Sequence, residues 1–370
     1  MRPSQADTMT TRTPDDLIDT IYEAAFIPAL WPSLLDDLSA RTGGWGGMLF
    51  TATPEAARWT ASAATSDFFT DFLANGWMER NPLVERGVKR DHAGFLTDLD
   101  LFTIEEIEAE PMYRDMRRLG GGWHLGTAIA VPNGDTLVIN IERRHRTGPF
   151  GRDHADHLDA FRPHLCRAAL LAARQSQARI DATIDNLELL GLAAGALTRT
   201  GKLLASNALL ANAMPTLIED GPSRIRLRHK PSDDLLVEAL ATSGNREAGV
   251  PGRSIPIPAS AESPPSILHM VPMAGASRDL FSRASVLMVV TTLAIGTAPD
   301  ARLIRGLFDL TPAESKIARD IATGMSIPEI ALRHGLSGHT VRTQVKAIFS
   351  KTGVHRQSEL SALLNGIPLL

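Results

Sequence analysis

A single cysteine, Cys166, stands among 370 residues. That excludes an internal disulfide and any cysteine-based zinc site, and it fits a reducing, cytoplasmic setting. The chain has no run of eighteen or more apolar residues, so no membrane-spanning helix is expected. Its opening MRPSQADTMTTRT lacks an apolar signal core and reads as a disordered N-terminus over residues 1–13. No HExxH occurs, and no nucleophile constellation stands out; the expectation is a protein that is not an enzyme, with no cofactor and no metal. Aromatics are scarce in the second half, where only Phe281, Phe308 and Phe349 follow Phe161, whereas all five Trp and both Tyr precede residue 124. Acid is missing from one stretch. Between Ser337 and Arg356 lie Arg342, Lys346, Lys351 and Arg356 without one Asp or Glu, in a chain of net charge -4. A basic stripe on a mildly acidic protein points to a dedicated polyanion-facing element.

In the N-terminal region, Leu17, Ile18, Ile21 and Tyr22 recur at helical spacing behind Pro14-Asp15-Asp16 and predict a first helix. RTGGWGGMLFTA reads as a Gly-rich turn entering a strand, and FFTDFLANGWMERNPLVERGV as a helix up to Asn81-Pro82. TAIAVPNGDTLVINIERR predicts two strands joined at Pro132-Asn133-Gly134-Asp135. Helices alternating with hairpins indicate an α+β domain of sensory type over 14–150. Its aromatics either line a small-molecule pocket or fill a core; composition fits both.

DHADHLDAFRPHLC gathers His154, His157, His164 and Cys166, but the acids between the histidines resemble a solvated helix face more than a metal site. From Asp153 to about Leu190, Leu158, Phe161, Leu165, Ala168 and Ala172 form an apolar seam, with a kink or restart at Pro163. This predicts a long connecting and dimerisation helix over 151–185, its seam facing a second copy rather than its own domain. GALTRTGKLLASNALLANAM then reads as strand, turn, strand and helix, with Asn207 opening the helix. RIRLRH, SILHMVPM and SVLMVVTTLA supply three more strands, and IPIPASAESPPS reads as a surface loop. The spacing from Gly195 to Lys202, with Leu203 following, does not match a phosphate loop.

In the C-terminal sixty residues, Thr311-Pro312-Ala313-Glu314 and Ser326-Ile327-Pro328-Glu329 are two capping boxes with proline in the first turn. Ser337 opens a third helix ending at Gly353, and RQSELSALLNG forms a fourth. At 100° per residue, Val341, Val345, Ile348 and Thr352 share one arc of the third helix, flanked by Phe349. His339, Thr343, Lys346, Ala347 and Ser350 share the opposite arc, bordered by Thr340, Arg342, Gln344 and Lys351. Such a face suits the major groove, where Lys and Arg donate to guanine and Ala touches the thymine methyl. Lys351 and Arg356 are better placed for phosphate.

Through Leu310-Thr311, Glu314, Gly324, Glu329-Ile330-Ala331, Leu336-Ser337, Thr340-Val341 and Lys351-x-Gly353-Val354, this segment resembles the LuxR-type (NarL/FixJ) helix-turn-helix domain. The resemblance implies that the third helix enters the groove, that the fourth commonly dimerises, and that Arg342, Thr343 and Lys346 face the bases. Arg342 and Gln344 stand where the commonest pattern has Lys and His, and Thr352 where it has Leu. The first region resembles GAF-like sensor domains and, loosely, quorum-sensing ligand domains. The latter use an Asp-Pro where this chain has Asn81-Pro82, a departure that argues against an acyl-homoserine lactone. Residues 186–300 resemble a degenerate PAS-like α+β domain. The expected architecture is therefore multidomain, ending in an all-α four-helix LuxR-type unit over 305–370. The expected function is a homodimeric regulator of transcription that binds double-stranded DNA, with a small-molecule effector as a further partner. The alternative is a protein-docking module, for example on RNA polymerase.

Overall fold

The computed structural model describes residues 13–52, 58–90, 92–242, 252–273, 280–292 and 300–365; the expected disordered N-terminus lies almost wholly outside them. Two sheet-bearing regions precede a helical one.

The first region holds an antiparallel sheet of β1 (Gly46–Thr51), β2 (Trp59–Ala61), β3 (Leu96–Thr97), β4 (Gly122–Ala130) and β5 (Thr136–Arg144), in the order β2-β1-β5-β4-β3. The β4–β5 hairpin is the one its sequence predicts. Gly134 takes φ 86, a conformation that a side chain resists, and the Asn133 side chain accepts from the Asp135 N–H at 3.0 Å. The first helix, Pro14–Phe26, starts at Thr13, whose hydroxyl caps it while Asp16 bonds back to the Thr13 N–H. It buries Leu17, Ile21, Ala24 and Ala25 beside helix Trp31–Arg41. Pro82 begins a helix rather than ending one. Ser66–Ala74 stops first, and Asn81 caps Pro82–Lys89 by accepting from the N–H groups of Leu83 and Val84. The missing proline N–H would have had no helical partner in that first turn.

The connecting segment divides at Pro163 as expected, into Arg152–Asp159 and Arg162–Leu189. The seam of Leu158, Phe161, Leu165, Ala168 and Ala172 is buried in the first region's own core. Helix Arg162–Leu189 packs on helix Pro14–Phe26, so the dimer reading of those five residues is corrected: their apolar surface is already out of water. Further along, Ile180 and Ile184 pack with Ala196 and Ala284 of the second region, so one helix joins both cores.

In the second region β6 (Ala193–Leu197), β7 (Leu203–Ser206), β10 (Arg253–Ile257), β11 (Ser266–Pro272) and β12 (Val286–Thr292) form a sheet ordered β10-β11-β12-β6-β7. A ribbon of β8 (Ile218–Asp220) and β9 (Ile225–Leu227) stands apart from it. Asn207 caps helix Ala208–Leu217 as expected, accepting from the Leu210 N–H. The proline-rich loop is shorter than its sequence indicates, since Ile255-Pro256-Ile257 belongs to β10. Being an edge strand, β10 tolerates the proline; Ile255 and Ile257 face the core while Pro256 stays exposed. Leu280 and Phe281 leave this region altogether and are buried in the first core, Phe281 lying 5.6 Å from the Trp31 ring. The β4–β5 turn holds them there. Asn133 donates to the Phe281 carbonyl, Arg283 donates to the Asn133 carbonyl at 2.8 Å, and Arg58 bridges Asp135 and the Ser282 carbonyl.

The helical region contains Ala301–Phe308, Pro312–Ala322, Ile327–His334, Gly338–Thr352 and Gln357–Asn365. The helix Ala301–Phe308 adds to the four expected ones, capped by Asp300 and inserting Ile304 into the shared core. No helix among the described residues is long and apolar enough to cross a membrane.

Candidate nucleic-acid interface

Three capped helix starts fix the geometry of the C-terminal unit. The Thr311 and Ser326 boxes close with Glu314 and Glu329, and the Ser337 hydroxyl accepts from the Thr340 N–H at 3.0 Å. Gly353 ends helix Gly338–Thr352 in the left-handed conformation that spares a glycine the Cβ clash. On that helix Val341, Val345 and Ile348 are buried against Ile317, Ile321 and Leu360, and Phe349 packs at their edge. The half-buried Thr352 spends its hydroxyl on the Ile348 carbonyl, 2.8 Å away.

The opposite face stays in solvent: His339, Arg342, Thr343, Lys346 and Ser350 are exposed, and Thr340, Gln344 and Ala347 are half-buried along its borders. No acid among the described residues forms an ion pair with Arg342 or Lys346. Their charge is therefore uncompensated locally, the condition that favours phosphate or a guanine edge. The Thr343 hydroxyl back-bonds to the His339 carbonyl at 3.1 Å, and that of Thr340 meets Ser337 at 2.8 Å. Arg356 is 80% exposed and only loosely tied, with Nε 4.0 Å from Glu359.

Lys351 departs from its expected role. Its Nζ lies 2.8 Å from Glu314 Oε2, the carboxylate that also accepts the Thr311 N–H at 2.7 Å. Lys351 thus braces helix Gly338–Thr352 against helix Pro312–Ala322, because Glu314 is nearly buried there and needs a cation. The Lys351 ammonium, followed by the Thr311 N–H, holds the Glu314 carboxyl below its ordinary range. A depressed carboxylate pKa gives stability that is present above the ordinary value of 4.5 and is lost as pH falls through the folded value. Glu314→Gln is expected to cost about 1–2 kcal/mol, with solvent screening at the half-exposed lysine keeping it small. Thermal melts between pH 7 and pH 3, run beside wild type, check this; the variant's melting point should fall less on acidification.

Residues 309–364 match the luxR family of bacterial regulatory proteins. The luxR-family segment contains the whole helix-turn-helix and its closing helix up to Leu364. No curated protein sequence matches the chain. Among solved structures, the N-acylhomoserine lactone-dependent LuxR-family factor CepR2 of Burkholderia cenocepacia is 15% identical, over 44% of this chain and 96% of its own, at TM-score 0.34. SdiA of Escherichia coli is 12% identical over 98% of this chain and 94% of its own, at 0.30. VqmA of Vibrio cholerae, in complex with ligand and DNA, is 16% identical over 50% and 89%, at 0.21. At such TM-scores these likenesses carry no weight for fold or function.

Outside the luxR-family segment, the histidine-rich cluster is dispersed into separate local roles. His154 accepts from the Gly151 N–H, His157 packs on Phe161, and His164 meets the Tyr22 hydroxyl at 3.1 Å. Cys166 is half-buried, and burial pushes its thiol up. No metal-holding group occurs among the described residues.

A second polar constellation has no counterpart in the sequence reading. His124 on β4 and Glu142 on β5 are directly paired across the hairpin, and Asp98 reaches them from the residue after β3. His124 Nδ1 lies 2.9 Å from Asp98 Oδ1 and Nε2 lies 3.1 Å from Glu142 Oε2; all three residues are buried. Burial alone would push the imidazole down, but the carboxylates of Glu142 and Asp98 outweigh it and push the pKa up to about 10. Tyr113, donating to Asp98 at 2.5 Å, is pushed up by burial and then by that carboxylate's charge. The available signal was a His and a Glu on buried positions of the two hairpin strands.

Proposed function

We propose that the protein is a sequence-specific regulator of transcription that binds double-stranded DNA as a homodimer. The observation that carries this is the acid-free face of helix Gly338–Thr352, whose Arg342 and Lys346 have no ion pair among the described residues, within a luxR-family match. In this reading Arg342, Thr343 and Lys346 meet base edges, His339, Gln344, Ala347 and Ser350 line the groove, and Thr340 and Arg356 approach the backbone. Residues 14–150 act as a GAF-like sensor of a small molecule, 151–185 connect, 186–300 serve as a PAS-like relay, and 305–370 bind DNA. Homodimerisation falls to surfaces other than the seam buried in the first core, such as the fourth helix of the luxR-family unit.

Selection from a random DNA pool with the full-length protein tests the proposal. Enriched two-fold-symmetric sites are expected. On a selected site, log Kd should change steeply with log salt, by about 0.9 per phosphate contact. A flat salt response would instead favour docking on a protein such as RNA polymerase.

A further inference from the structure

The first region contains a cavity whose floor has one carboxylate more than its cations neutralise. The cavity lies over the sheet beneath helices Ser66–Ala74 and Pro82–Lys89. Phe50, Phe68, Phe69, Phe72, Leu83 and Met116 give it apolar walls, and neither Lys nor Arg is among its lining residues. Asp98, His124 and Glu142 are the charged groups at its base.

The two carboxylates differ in how fully they are used. Asp98 Oδ1 takes the Tyr113 hydroxyl and His124 Nδ1, and Oδ2 takes the His124 backbone N–H at 2.6 Å. Glu142 Oε1 takes the Gly122 N–H at 2.8 Å. Glu142 Oε2 is near His124 Nε2, but the two are not aligned for a hydrogen bond, and no other described group donates to it. Glu142 is 0% exposed and lines the cavity floor. An unfilled acceptor on a buried carboxylate is costly, and two carboxylates facing one imidazolium leave a negative excess. Both deficits are met by one kind of group, a cationic nitrogen donor, whereas a carboxylate-bearing ligand would add repulsion.

We propose that this cavity binds a small, mostly apolar molecule with a protonated amine head, the head against Glu142 and the apolar body among Phe50, Phe68, Phe69 and Phe72. The proposal deepens the reading of this region as a sensor. The ligand's charge would replace the missing donor, and its body would leave water for an aromatic enclosure.

The test uses the full chain with n-alkylammonium ions of four to eight carbons and phenethylammonium, against alcohols and carboxylates of equal length. Binding is read by thermal shift and by tryptophan fluorescence, since Trp45 and Trp59 pack at 5.5 and 5.2 Å on the cavity-lining Phe68 and Phe69. The amines should bind saturably, about tenfold or more tighter than the alcohols, as fits a hydrogen bond to a charged acceptor. The carboxylates should not bind. Glu142→Gln should erase the preference of amine over alcohol. Because that change alters the buried cluster, Ala128→Trp, which fills the cavity from a half-buried lining position, should abolish amine binding independently. Amine, alcohol and acid binding alike, no amine binding in wild type, or unchanged amine binding in Glu142→Gln would each overturn the assignment. No DNA enters this readout. A failed DNA selection therefore removes the regulator reading alone, and failed amine binding beside successful selection removes this one alone.

Discussion

Replacing His124 by alanine is expected to destabilise the first region by about 3–5 kcal/mol, the cost typical of stripping one partner from a buried ion pair. The imidazole is the cation held between Asp98 and Glu142, and without it two buried carboxylates share only the Tyr113 hydroxyl and two backbone N–H groups. Chemical denaturation followed by tryptophan fluorescence reads the loss directly, because all five Trp lie in this region. Adding Glu142→Gln to His124→Ala should recover part of it, since one unpaired charge is then removed. The pH dependence has a definite sign. With its pKa raised from 6.5 to about 10, the imidazolium contributes stability that is fully present below pH 6.5 and is lost as pH rises toward 10. In His124→Ala that alkaline loss should disappear. An alanine variant that melts like wild type would show that the cluster carries no net electrostatic stabilisation.

Lys346→Ala and Arg342→Ala are each expected to weaken binding to a selected DNA site by about 1–3 kcal/mol, or about 5- to 150-fold, if they contact bases. Both are exposed, neither pairs with an acid in the described structure, and both flank Thr343 on the face opposite Val341, Val345 and Ile348. A base contact relaxes preference at one position of the site. A phosphate contact weakens all sequences about equally and lowers the salt slope by about 0.9. Competition between the selected site and single-base variants separates the two. Lys351→Ala serves as the contrast, because its ammonium is engaged with Glu314. Its melting point should fall while its salt slope remains near that of wild type. If Lys346→Ala and wild type bind every sequence in the pool equally, the base-reading assignment fails.

What the sequence determined about this protein is local or periodic. Thr311 with Glu314 and Ser326 with Glu329 sit three residues apart because a helix start needs that spacing, so the helical boundaries of the luxR-family unit were legible. The division of helix Gly338–Thr352 into a core face and a solvent face follows from its 3.6-residue period. The β4–β5 hairpin was legible from Asn133-Gly134, and the restart at Pro163 from proline's fixed geometry. Only the tertiary structure decided which partner each apolar or charged face meets, since that depends on residues far apart in the chain. It turned the seam of Leu158, Leu165 and Ala172 inward, and it carried Phe281 from the second region into the first core against Trp31. It matched Lys351 with Glu314, withdrawing one charge from the basic stripe. It also joined Asp98, His124 and Glu142, whose separation along the chain hides them from any motif, because strand pairing alone sets which side chains share a buried floor.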